Sequence, residues 1–311
     1  DGAIVPFSVF GIAAGDSTCG HPILSPATFA VSSAADYRAK LLALGIEPRA
    51  SERRKALLAG MRAEASALGG TLVEDGPLLD KLAALCEIPG VMSGRIDPAF
   101  LSLPQEVLAT SLRDHQSALT VVGADGKLLP AFLTVMDRPD DPVGRVRSGN
   151  EWVVSARLAD ARFFYGEDRK AERRLEAGAP RLASLNFQEK LGSYADKTER
   201  VVRLADAIAR ALGVSEREGQ EVHQAAHLLK IDLTTEMVKE FTSLQGVVGG
   251  IYAREDGEPE AVWQAIYDQY QPASTEDEIP RGLVGRIVGL ADRMDTLVGL
   301  FGLGLVPTGG K

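Results

Sequence analysis

One change in hydrophobic period constrains the fold of this chain more than any other feature. Ahead of residue 181, short β-branched runs alternate with helical spacings. From Leu182 onward strand signals vanish and helix succeeds helix. Strands alternate with a period of two and helices repeat every three to four residues, so the two stretches build different kinds of core. The pattern predicts a mixed α/β domain over 1–180 followed by an all-α domain over 181–311.

In the first stretch, the Val, Ile and Phe of Ile4 to Ala13 precede Gly15-Asp16, which predicts an opening strand and turn. Helical spacing follows over Ala34 to Leu44 and over Ser51 to Leu68, where Ser51 is placed to cap and Leu57, Leu58, Met61 and Ala65 form the apolar stripe. Pro77 to Leu85 and Pro104 to Ser111 read as two more helices. Thr120 to Val122 and Leu128 to Val135 flank Ala124-Asp125-Gly126-Lys127, a hairpin signature. Past Arg138-Pro139-Asp140-Asp141-Pro142, Asn150 to Leu175 reads as one helix. In the second stretch, Lys197 to Leu212 places Val201, Leu204, Ala205, Ile208 and Leu212 on one face and closes on Gly213, while Ser215 caps the next helix. Thr234 to Phe241, Glu258 to Tyr270 and Gly282 to Phe301 complete the helical series.

Charge and cysteine content narrow the function classes. Lys and Arg number 34 against 43 Asp and Glu, a net charge of −9, which argues against a free-standing, charge-driven nucleic-acid binder. The basic excess is local: residues 145–181 hold nine Arg or Lys against six Asp or Glu, whereas 231–311 hold six against thirteen. A phosphate backbone touching this chain would meet Arg145, Arg147, Arg157, Arg162, Arg169 and Lys170. The plainer reading is a solvated face with i,i+3 ion pairs such as Glu167 with Lys170 and Arg173 with Glu176. Two cysteines, Cys19 and Cys86, suit a reducing cytoplasm. The apolar run from Leu283 to Leu305 is interrupted by Arg286, Asp292, Arg293 and Asp295, which excludes it as a membrane span. Asp1 to Phe7 reads as a chain entered partway through a strand and Thr308 to Lys311 as a glycine turn, so the whole reads as a piece of a larger protein.

The four histidines are His21, His115, His223 and His227. His223 and His227, at i and i+4, share a helical face and with Asp232 and Asp292 would make a divalent-metal phosphohydrolase site. The helical succession resembles the HD superfamily, whose site uses a His on an early helix, a His-Asp pair on a middle helix and a final Asp. Here the early position, near Asp196-Lys197, has no histidine. Lys230-Ile231 stands in place of the His-Asp pair, and only Asp292 keeps the last element. A lysine there repels a cation, so the reading is a helical domain without a metal site. No Gly-x-Ser-x-Gly elbow and no Walker loop are present.

Collinear segments carry a further resemblance. Gly20-His21-Pro22, Ser33-Ala34-Ala35-Asp36-Tyr37, Leu101-Ser102-Leu103-Pro104, His115-Gln116, Gly149-Asn150-Glu151 and Arg157 through Phe164 are joined by Phe187-Gln188-Glu189-Lys190-Leu191-Gly192 and Asp196-Lys197-Thr198-Glu199-Arg200. Asp232 through Val238, Leu244-Gln245-Gly246 and Ala291 through Gly299 continue the order. Together they resemble the β subunit of the two-subunit bacterial glycyl-tRNA synthetase. The chain departs from it at Ser117-Ala118-Leu119, where the family shows an aromatic pair after His-Gln, and at Pro22, where it shows arginine.

The resemblance implies a non-catalytic partner with no cofactor of its own. It implies a domain similar to B3/B4 of phenylalanyl-tRNA synthetase ahead of an HD-like helical domain. The partners implied are a catalytic α subunit that uses ATP and Mg, in an assembly of two α and two β, and tRNA(Gly). Because β subunits of this type commonly lack the HD ligands, it also agrees with the electrostatic reading of Lys230. The competing enzyme reading is a metal-dependent phosphohydrolase or an editing-type hydrolase. Glycine is the smallest amino acid, so exclusion by volume leaves editing little to correct.

Overall fold

The computed structural model describes residues 4–306, and Asp1–Ala3 and the turn expected at Thr308–Lys311 lie outside the described residues. The chain divides into two compact units, 1–159 and 160–311. The division falls inside a long helix, earlier than the 180/181 boundary expected from periodicity. The physical reason is where 160–180 finds its partners. Tyr165 donates to Glu255 at 2.5 Å, Asp168 accepts the amides of Glu236 and Met237, and Arg174 pairs with Asp256, so these residues belong to the helical unit.

The first unit opens with two small antiparallel hairpins, β1 (Ser8–Val9) with β2 (Ile12–Ala13) and β3 (Ser17–Cys19) with β4 (Thr28–Ala30). The single strand expected over Ile4 to Ala13 is therefore folded back on itself. Phe10 and Gly11, with φ of 50° and 79°, make the two-residue turn that matches strand twist. Helices α1 (Ala34–Ala43) and α2 (Ala50–Ala67) follow, then β5 (Thr71–Leu72), α3 (Gly76–Leu85), β6 (Pro89–Arg95), α4 (Gln105–Gln116), β7 (Leu119–Val122) and β8 (Leu128–Asp137). Ser51 lies inside the first turn of α2 and does not cap it, because the Arg49 carbonyl already accepts the amides of Glu52 and Arg53. Asp75 caps α3 through the Leu78 amide.

The four-stranded antiparallel sheet runs β5-β7-β8-β6, with the expected hairpin between β7 and β8. Strand β6 is not among the strands expected from periodicity. It pairs with β8 along its whole length, Pro89 opposite Asp137 and Arg95 opposite Ala131. Leu57, Met61 and Ala65, one helical face of α2, pack with Leu78, Leu79 and Leu82 of α3 and with Leu119, Val121 and Leu133 of the sheet. Gly94 lies opposite Phe132, and any Cβ there would overlap the Phe132 ring.

Helix α5 (Arg145–Asp168) begins earlier and ends sooner than the helix expected over Asn150 to Leu175, and α6 (Arg174–Gly178) is separate. The helical unit also holds one small hairpin that periodicity does not reveal, β9 (Asn186–Gln188) with β10 (Gly192–Ser193). Then come α7 (Tyr194–Leu212), α8 (Glu216–Leu228), α9 (Glu236–Glu240), α10 (Val247–Glu255), α11 (Glu260–Tyr267) and α12 (Gly282–Gly302). Capping boxes start α7 (Ser193 with Asp196) and α8 (Ser215 with Glu218), and Gly213 closes α7 in the left-handed conformation. A mixed α/β region is thus followed by a largely helical one. Among the described residues no helix is long and apolar enough to cross a membrane.

Candidate functional site

A buried charge array is assembled at the centre of the helical unit. The Ser193–Asp196 capping box fixes the first turn of α7, which sets Lys197 in phase with Val201, Ala205 and Ala209, the face of α7 that is buried. Lys197 is consequently only 2% exposed. Lys230 follows α8 at the entry to the 3-10 turn Ile231–Thr234 and is 3% exposed. Asp292 and Asp295 arrive from the inner face of α12.

Asp292 lies between the two ammonium groups. Lys230 Nζ is 2.9 Å from its Oδ2, and Lys197 Nζ is 2.9 Å from its Oδ1, an ion pair off the hydrogen-bonding direction. Lys197 also donates to Asp295 Oδ2 at 3.0 Å and Thr296 Oγ1 at 2.8 Å, and lies over the Phe187 ring. Arg200 Nε donates to Asp295 Oδ1 at 2.6 Å, and Lys230 donates to Gln269 Oε1 at 2.8 Å while lying over Tyr270. Burial by itself raises the Asp292 carboxyl, but Lys230 and Lys197 outweigh it and hold Asp292 below the usual carboxylate range. Burial pulls the Lys230 ammonium down, and Asp292 offsets part of that. Asp232 is fully buried beside the array. Its Oδ2 accepts the Gly246 amide at 2.5 Å and its Oδ1 has no hydrogen-bond partner, and burial pushes its carboxyl up to about 6.

The three positions matched to the HD metal site, Lys197, Lys230 and Asp292, therefore do converge, but two of them bring positive charge. A divalent cation needs anionic or lone-pair donors, and an ammonium has no free lone pair, so these residues do not fit a metal. Ile231, the other matched position, is an apolar core residue. His223 and His227 share a face, as their spacing predicts, but both side chains are on the exposed side of α8, whereas Asp232 and Asp292 are buried. His223 Nδ1 is instead 3.1 Å from Asp206. Among the described residues no group of three or more His, Cys, Asp or Glu is arranged to hold a metal ion.

The six candidate phosphate contacts divide between the units. Arg145 and Arg147 are exposed and Arg157 is half-buried in the first; Arg162, Arg169 and Lys170 are exposed in the second. Lys170 pairs with Glu167 at 2.6 Å, as the i,i+3 spacing predicts, and Arg169 lies 3.6 Å from Glu255 and over the Tyr165 ring. Arg173 meets Glu176 at 2.9 Å. His21 is a buried latch. Its Nδ1 accepts the amides of Ile23 and Leu24, so Nε2 carries the proton and donates to Asp137 at 3.1 Å. Asp137 also accepts the amides of Glu87 and Ile88, which with His21 overcome burial and keep its carboxyl low. Cys86 is buried, and burial pushes its thiol up, away from a reactive thiolate.

Sequence reasoning missed Arg200, Gln269 and Asp295 as members of the array. The available signal was the phase of the charged residues, since Asp292 and Asp295 fall on the same helical face as Val288 and Ala291.

The family described as "Glycyl-tRNA synthetase beta subunit" matches residues 1–311. The glycine–tRNA ligase beta subunit of Nitratidesulfovibrio vulgaris is 44% identical over 310 residues, covering 99% of this chain and 44% of the relative. That of Synechocystis is 42% identical over 290 residues, covering 93% of this chain and 40% of the relative. The protein of the same description from Neisseria meningitidis serogroup B is 39% identical over 311 residues, covering 100% and 44%. The chain thus spans well under half the length of the curated relatives it matches. With every residue inside the family match and identity of this order along the chain, it belongs to the glycyl-tRNA synthetase beta subunit family.

Proposed function

We propose that this chain is a non-catalytic part of a glycyl-tRNA synthetase β subunit that positions tRNA(Gly) and assembles with the catalytic α subunit for glycylation. In this reading the first unit is the B3/B4-like domain and the second the HD-like domain. ATP and Mg serve the α subunit, two α and two β make the complex, and the setting is the cytoplasm. One observation carries the scaffold role: Asp292, the one retained HD ligand, is held by the ammonium groups of Lys197 and Lys230. Fixed positive charge there occupies the Asp292 carboxylate and repels a divalent ion, which leaves no position for a water-activating cation.

The tRNA-facing part of the proposal rests on the basic excess of residues 145–181 and takes Arg145, Arg147, Arg157, Arg162, Arg169 and Lys170 as its candidate contacts. Its test is a salt titration of tRNA(Gly) binding by the assembled α and β subunits. Arg145→Glu with Arg147→Glu, and separately Arg157→Glu with Arg162→Glu, each lower the log–log salt slope by about one unit for every phosphate no longer neutralised. A slope unchanged in both pairs removes this surface from tRNA recognition.

A further inference from the structure

The last helix has apolar residues on both sides. Its inner face buries Val284, Ile287, Val288 and Ala291, yet its outer face carries Leu290, Met294, Leu297 and Phe301 at 50%, 39%, 55% and 51% exposure. The outer spacing is four, three, four, which is the a/d repeat of a helix-packing seam, and Val298 lies beside it at 69% exposure. The stripe continues into a groove of about 380 Å³ lined by Leu191, Leu204, Met294 and Val298 together with Arg203 and the paired Arg200 and Asp295. Arg203 has a largely exposed side chain, and its approach to Glu199 is long at 3.9 Å. A second apolar stripe on a helix whose first is already buried marks a surface for another element.

We infer that the outer face of α12 is the docking seam for a helix of the same polypeptide, supplied by residues that full-length relatives carry beyond the part matched here. The 3.5-residue repeat selects a helix over a strand, because a straight seam of knobs needs the facing holes of another helix. Arg203 selects an acidic residue on that helix's flank. The source is the same polypeptide because the relatives are more than twice as long as this chain. A tethered helix also faces the seam at millimolar effective concentration, which a separate chain at cellular levels does not reach. The inference is independent of the tRNA reading.

The test is maleimide labelling. In a Cys19→Ser background, Leu297→Cys in the 311-residue chain labels at the rate of an open thiol. In the full-length Nitratidesulfovibrio vulgaris relative, with no other subunit present, a cysteine at the aligned position labels about 100-fold more slowly or less, as a docked helix opens only rarely. Equal rates in the two proteins overturn the inference, as does protection that appears only when a separate polypeptide is added. Sedimentation of the 311-residue chain is the second arm. A dimer abolished by Leu297→Glu makes a second copy the occupant and overturns the tethered helix, whereas a monomer with or without that change supports it.

Discussion

Removing one charge from the Lys197–Asp292–Lys230 array perturbs the others by an amount that can be worked out. At 2.9 Å and an effective dielectric of about 20, the Lys230–Asp292 attraction is about 6 kcal/mol. Part of that offsets the desolvation of the ammonium, so Lys230→Met, which keeps the stem and drops the charge, costs about 3 kcal/mol. Asp292→Asn costs about 4 kcal/mol, because two ammonium groups lose their shared counter-charge; Lys197 keeps its direct pair with Asp295, whereas Lys230 keeps only the field of Asp232 with no direct ion pair. The double variant removes charge of both signs and leaves the Lys197–Asp295 pair intact. Its cost is about 4 kcal/mol in place of the additive 7, a coupling of about 3 kcal/mol. The assay is urea unfolding at pH 7.5 in a Trp152→Phe background. Trp263, in contact with Arg254 and Arg281, then reports the helical unit alone, and the first unit does not blur the transition. Additivity within about 0.5 kcal/mol refutes the reasoning, because it means the three side chains are stabilised separately and no internal charge array exists.

Three further outcomes follow from individual side chains. Asp232 binds its proton more tightly in the folded state, with its carboxyl near 6 against about 4 when unfolded, so its contribution is present at low pH and is lost as pH rises through that window; relative to Asp232→Asn, the protein loses about 2 kcal/mol between pH 4 and pH 7, read by urea midpoints at the two ends, and parallel pH profiles reject this. Gly94→Ala drives a methyl group into the Phe132 ring and lowers stability by about 1–3 kcal/mol, whereas Phe132→Leu placed with it restores much of the loss; a silent Gly94→Ala in thermal unfolding contradicts the close approach. His21→Ala leaves the Ile23 and Leu24 amides without an acceptor and costs about 2 kcal/mol, seen as faster hydrogen exchange over residues 17–30 with the β8 amides still protected.

The period change at Leu182, the β7–β8 turn, the Gly213 stop of α7 and the serine cap of α8 were legible because each is written in neighbouring residues, whereas the Ser193 cap that starts α7 three residues ahead of Lys197 was not read. What stayed hidden depends on partners far along the chain. β6 begins with Pro89-Gly90 and contains Gly94, residues that weaken a strand by propensity, and only the Phe132 ring across the sheet explains why glycine is needed there. α10 carries Gly249-Gly250 in its first half and reads as a break, yet a Cβ at Gly250 would press on Tyr267 and the Trp263 carbonyl, so the pair permits close approach to α11. The site obeys the same logic. Lys197 interrupts the apolar face that continues through Val201, Ala205 and Ala209, and by itself it reads as a defect. Asp292 and Asp295 are the matching defects in α12, some 95 residues away. Neither sign of charge can be buried without the other, so opposite-sign intrusions on the inward faces of two helices of one bundle require those faces to meet. That inference needs no metal motif. It identifies which helices pack together from the residues that fit their own helices least well.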